Sequence, residues 1–211
     1  MPRNASSKRF CASAGSYLFA FIGCAMVWFV GGSDEIYKAI QKIETDSDRA
    51  VAIVAAAILE THITNAIKRR WREHAKADWM LRVDGPLGSF GPKIDLVFLM
   101  GLISPEGHRD MNFIKKIRNE FAHELTVEDF ETPLIKSWCF DLKHFQNYVL
   151  TDAEIGGAPK KGKIFGRAGM DAELKTAKGR YLTAIQFYSM IFGPDWPGVY
   201  MPPINKLTPL F

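Results

Sequence analysis

The chain has 211 residues, 47% hydrophobic and 24% charged, enough to bury one sizeable core with a tail or anchor left over. A net charge of +4 and a pI near 8.9 permit contact with nucleic acid without demanding it. Cys11, Cys24 and Cys139 show neither close pairing nor metal spacing, which argues against a disulfide framework and for inert thiols or a reducing compartment.

From Phe10 to Ser33 no residue is charged; Arg3, Lys8 and Arg9 precede this run, and Asp34 and Glu35 follow it. A helix needs roughly 20 apolar residues to cross the hydrocarbon layer. Residues 10–33 are therefore expected to form a hydrophobic helix that anchors the chain in a membrane. Two other readings stay open: a signal cleaved near Val30-Gly31-Gly32, or a true start near Met26, which would leave the protein cytoplasmic. Basic residues before the span favour an amino end inside and a domain outside. The expected division is a leader over 1–33, a helical domain over 34–192 and a Pro-rich tail over 193–211.

Asp34 to about Glu44 reads as a short helix with Ile36, Ala39, Ile40 and Ile43 on one stripe. The capping residues Thr45-Asp46-Ser47-Asp48 start a long segment whose Val51, Val54, Ala55, Ile58, Leu59, His62 and Ala66 recur at three and four. It ends in Lys68-Arg69-Arg70-Trp71-Arg72, cations placed where the helix dipole favours them. His62, on the apolar stripe, reads as a core histidine. The stretch from Asp84 to Pro92 reads as a turn-rich loop, and Lys93 to Leu102 as a compact helix. Ser104-Pro105-Glu106 opens a helix that carries Met111, Ile114, Ile117, Phe121 and Leu125 inward and ends around His123.

Thr132-Pro133 starts another helix, with Leu134, Trp138, Leu142 and Phe145 as its stripe. From Thr151 to Gly169 the pattern dissolves into a basic loop, and a last helix runs from about Asp171 to Phe192. Trp71, Trp79 and Trp138 read as core or loop anchors. No strand-period segment exceeds a few residues. The fold class is all-α, a bundle of about five to six helices preceded by the hydrophobic amino-terminal helix.

Three stretches in order resemble the mannitol operon repressor family. The loop Asp84-Gly85-Pro86-Leu87-Gly88-Ser89-Phe90 with Lys93-Ile94-Asp95-Leu96 is similar to its Gly-Pro-Leu-Gly signature. Leu99-Met100-Gly101-Leu102-Ile103-Ser104 resembles its next helix end, and Ile114 to His123 its arginine-containing segment. The resemblance covers about Asp48 to Asp141. It implies a helical regulatory domain without a DNA-reading motif of its own, acting through a protein partner. The spacing from Arg118 to His123 also resembles the hallmark of the HEPN superfamily, which contains metal-independent endoribonucleases along with many non-catalytic members. The readings are a non-catalytic regulator first, a homodimeric endoribonuclease second and a membrane-tethered scaffold with an inert motif third.

Read as chemistry, that segment offers His123 as a general base for a 2′-hydroxyl and Arg118 as a bidentate phosphate clamp. Asn119, four residues before His123, is placed to hydrogen-bond the imidazole and fix its tautomer. Lys160, Lys161, Lys163 and Arg167 would add sequence-independent attraction to an RNA backbone. The structural alternative pairs Arg118 with a carboxylate such as Glu60 or Asp95 and leaves His123 at home on a helix carboxyl end. The five histidines lack zinc-site spacing, so no metal is expected, and no cofactor is implied.

Overall fold

The computed structural model describes residues 47–155, 163 and 169–193, and every regular element among them is helical. The leader, the short helix expected over 34–44 and the Pro-rich tail lie outside the described residues.

Helix α1 (Asp48–Lys68) starts where the capping residues indicate: Ser47 is its N-cap, and its hydroxyl accepts from the Ala50 amide. Helix α2 (Ala75–Leu81) was not expected. It buries no residue, so it carries no apolar stripe to read. Helix α3 (Phe90–Leu99) begins three residues before the expected Lys93. Phe90, Gly91 and Pro92 form its first turn, which Pro92 tolerates because first-turn amides have no intrahelical acceptor. The helix ends earlier too, and Gly101 at φ 70° turns the chain away.

Helix α4 (Pro105–His123) has Ser104 as its N-cap and buries Met111, Ile114, Ile117 and Phe121. Leu125 lies past its end and is 88% exposed, which corrects its expected inward place. Helix α5 (Pro133–Asp141) points Ile135 and Cys139 inward. The expected stripe was one position off, leaving Leu134 half exposed, and Leu142 and Phe145 reach the core only beyond the helix. A 3-10 turn (His144–Tyr148) follows.

The single last helix is in fact two, α6 (Met170–Glu173) and α7 (Ala177–Ile191), with Thr176 capping the second through its hydroxyl on the Gly179 amide. Helix α7 is the central rod. Every residue from Gly179 to Ser189 is buried, so the expected one-sided stripe becomes burial on all faces. Thr183, Gln186 and Ser189 are buried with it, and their polar side-chain atoms find no hydrogen-bond partner among the described residues.

One apolar core runs through the bundle. Helix α1 packs on α4, α7 and α3, α4 packs on α3 and α5, and α5 packs on α7. Helix α1 is long and apolar enough to cross a membrane by length and composition. A bundle's central helix has the same properties, and here α1 lays Val51, Ala55, Leu59 and Ile63 against the other helices. Its Glu60 forms an ion pair with the buried Lys93 at 2.6 Å.

His62 is buried in α1, and burial, aided by the Arg69 charge, pushes its pKa below the ordinary value of 6.5. The unfolded chain therefore binds the proton that the folded chain refuses. The stability due to neutral His62 is present above about pH 6.5 and is lost as pH falls towards the folded value. Melting temperatures taken from pH 7 down to 5 should fall for the wild type, and this leg should flatten in His62→Leu.

Candidate functional site

The carboxyl end of α4 carries Arg118, Asn119 and His123, and its geometry starts with how that end is held. The last carbonyls of a helix lack intrahelical donors. Here the donor is Arg49, from the first turn of α1. Its guanidinium donates to the carbonyls of Phe121, Glu124 (2.9 Å), Leu125 (3.2 Å) and Val127 (2.6 Å). The neighbouring Asp48 accepts from the Phe130 amide at 3.2 Å and from Lys178 Nζ at 2.8 Å. Two adjacent residues of α1 thus fasten the exit of α4 and the start of α7.

On this fixed end the motif residues differ in their surroundings. Arg118 and His123 are five positions apart, about 140° around the helix. Arg118 is half-buried, and its Nη1 donates to Asn119 Oδ1 at 3.0 Å. It turns towards the bundle, close enough for its charge to act on the buried Tyr181. His123 is exposed as the last residue of α4. Among the described residues no hydrogen bond joins Asn119 to His123, and the Asn119 oxygen accepts from Arg118 instead. The expected carboxylate partners of Arg118 are also taken: Glu60 holds Lys93, and Asp95 holds His108 at 2.8 Å.

Of the four basic residues expected to attract a backbone, Lys160, Lys161 and Arg167 lie outside the described residues. Lys163 donates its Nζ to the Val149 carbonyl at 2.8 Å and to that of Gln146 at 3.4 Å, so it closes a local loop. Among the described residues no group of three His, Cys, Asp or Glu side chains converges as a metal site would require. The Cys139 thiol is buried and pushed up to about 12 by burial, which leaves it unreactive. His144 stands edge-on to Tyr148, and its Nε2 lies 3.4 Å from the Ser104 hydroxyl.

The Gly-Pro-Leu-Gly loop has a mechanical role. Asp84 pairs with Arg82, and the Leu87 amide donates to the Met80 carbonyl at 2.9 Å, folding the loop over the end of α2. A Cβ on Gly85 would run into the carbonyl oxygens of Trp79 and Met80, and one on Gly88 into those of Arg82 and Val83. Pro86 is exposed at the tip and Leu87 is buried. Overpacking of this kind costs about 1–3 kcal/mol. A Gly88→Ala variant should therefore lower the denaturation midpoint while keeping its helical circular dichroism.

The chain is similar to a structure described as the X-ray structure of the MtlR–HPr complex from Escherichia coli. The match covers 74% of this chain and 97% of that one at 15% identity, with a TM-score of 0.51. The fold is MtlR-like. No protein-family profile matches the chain, and no curated protein matches it. At that identity the likeness is one of fold, and it does not bear on the HEPN-type spacing of Arg118 and His123.

Sequence reasoning missed Arg49, the residue that holds the motif's helix end. Its signal was faint: an arginine directly after an N-cap and an acidic first-turn residue, where the dipole disfavours a cation unless it has a partner elsewhere.

Proposed function

We propose that this chain is a regulatory helical module that acts by binding a protein partner. The observation that supports the reading most is its likeness in fold to MtlR, which was solved in complex with HPr. A carrier protein of the HPr type is the first partner to test. The full chain, titrated with HPr from the same source by calorimetry, should bind with a defined stoichiometry. Absence of heat with HPr, together with failure to retain any stoichiometric partner on immobilised chain, would sink the reading.

The metal-independent RNase alternative is tested directly. Single-stranded RNA incubated with the protein and a chelator should stay intact. Cleavage that disappears in His123→Ala would replace the partner-binding reading with the nuclease one. The apolar run over residues 10–33 supports a membrane-tethered version of the same module. That version predicts membrane fractionation of the full chain and its loss when residues 1–33 are removed. A homodimer would appear as a doubled mass in light scattering.

A further inference from the structure

The outer side of α4 carries an ordered polar seam, of which the expected roles use only Asn119 and His123. Arg109, Lys116 and His123 are spaced seven residues apart, and all three are exposed. Asn112 and Asn119 alternate with them, so the steps along the ridge are three, four, three and four. That is the three-four spacing of one helix face, with Arg109, Lys116 and His123 at one position and amides at the other. The amides are engaged within the chain, Asn112 by His108 and Lys115 and Asn119 by Arg118, so the cations are what the ridge offers a partner.

The two cations are held in place before any partner arrives. The Arg109 guanidinium lies 5.5 Å from the Phe113 ring centre, and Lys116 Nζ lies 5.3 Å from Phe113 and 5.9 Å from Trp138. Neither has a carboxylate partner among the described residues, whereas the exposed Arg82, Lys136 and Lys143 each do. Glu120 flanks the ridge without pairing to Lys116.

We infer that this ridge is a docking seam for an acidic helix of a partner protein, one that bears carboxylates at seven-residue intervals. The inference rests on the partner-binding reading and names the chemistry of the surface. Seven residues of helix rise about 10 Å, so a helix lying alongside α4 brings its own every-seventh side chain to each cation in turn. A second copy of the chain is a poor occupant, because it would oppose cation to cation. Nucleic acid is a poorer occupant, because the ring faces of Phe113 and Trp138 that meet Arg109 and Lys116 are taken by this chain's own cations.

The test uses the full chain and three labelled probes in fluorescence anisotropy: a 21-residue alanine-based helical peptide with glutamate at every seventh position, a scrambled peptide of the same composition, and a 12-nucleotide single-stranded RNA. The matched peptide should bind at least ten-fold more tightly than the scrambled one. The double reversal Arg109→Glu/Lys116→Glu should remove that preference, and a peptide with lysine in place of glutamate should restore binding to the reversed protein. Equal binding of the two peptides, tighter binding of the RNA, or indifference to the reversal overturns the seam. If the reversed protein still captures the partner found by calorimetry, the seam falls and the partner-binding function stands. If neither protein captures a partner, that function falls.

Discussion

Replacing Arg180 by methionine should lower the stability of the protein by about 3 kcal/mol, the cost expected when buried carbonyls lose charged donors. Arg180 is 8% exposed on α7. It donates to the carbonyls of Cys139 (3.0 Å), Phe140 (3.2 Å) and Leu142 (2.6 Å), the unpaired end of α5. Its guanidinium also lies 5.0 Å from the centre of the Phe140 ring. Lysine keeps the charge but not the planar fork, so Arg180→Lys should recover less than half of the loss. Urea denaturation followed by circular dichroism gives both numbers. A methionine variant with an unchanged midpoint would mean that water satisfies these carbonyls and the clamp is dispensable.

The second large effect is expected at Asp110. Its carboxylate, 2% exposed, accepts from the amides of Lys143 (3.3 Å) and His144 (3.0 Å) at the start of the 3-10 turn and from the Tyr188 hydroxyl at 3.3 Å. Asp110→Ala strands three donors, and about 2–4 kcal/mol should be lost. The pH dependence has a definite sign. Burial raises the Asp110 pKa, against the opposing pull of its hydrogen bonds, so protonation is easier in the folded chain than in the unfolded one. That contribution is fully present below the unfolded pKa and is lost as pH rises through the folded value. The stability gap between wild type and Asp110→Ala should therefore widen as pH is lowered towards 4. A gap that narrows over that range contradicts the assignment.

Much of the fold was legible because helices advertise their starts. Ser47 and Ser104 cap where they were expected to, and the three-four spacing of Met111, Ile114, Ile117 and Phe121 marks a single buried face. The failures share a cause: a pattern reports one face, and not how many neighbours cover it. Helix α2 has no buried face, so nothing announced it. Helix α7 has no exposed face over Gly179 to Ser189, so its stripe was only part of what it buries. The one-position slip in α5 arose because Leu134 and Ile135 are equally apolar and only packing chooses between them.

The site was less legible than the fold, and for a physical reason. Sequence spacing places Arg118, Asn119 and His123 around a helix, but not which side chain turns back on its neighbour. The Arg118–Asn119 hydrogen bond engages the oxygen of the amide that was expected to orient the imidazole. The partners that hold the surrounding backbone come from 70 or more residues away, as Arg49 does for the Phe121 carbonyl, and no local pattern encodes them. The Gly-Pro-Leu-Gly loop was visible as a motif, but its close approach to the end of α2 was not.

Three helix ends in this bundle are completed by an arginine from elsewhere in the chain: α4 by Arg49, α5 by Arg180 and α7 by Arg69, whose Nη2 reaches the Phe192 carbonyl at 2.6 Å. Each terminus is thus finished only when a distant segment has docked, and loosening of one helix uncaps another. Amide exchange should reflect this. The last turns of α4, α5 and α7, which would ordinarily fray and exchange first, should exchange together and nearly as slowly as the middle of α1, as parts of one cooperative unit.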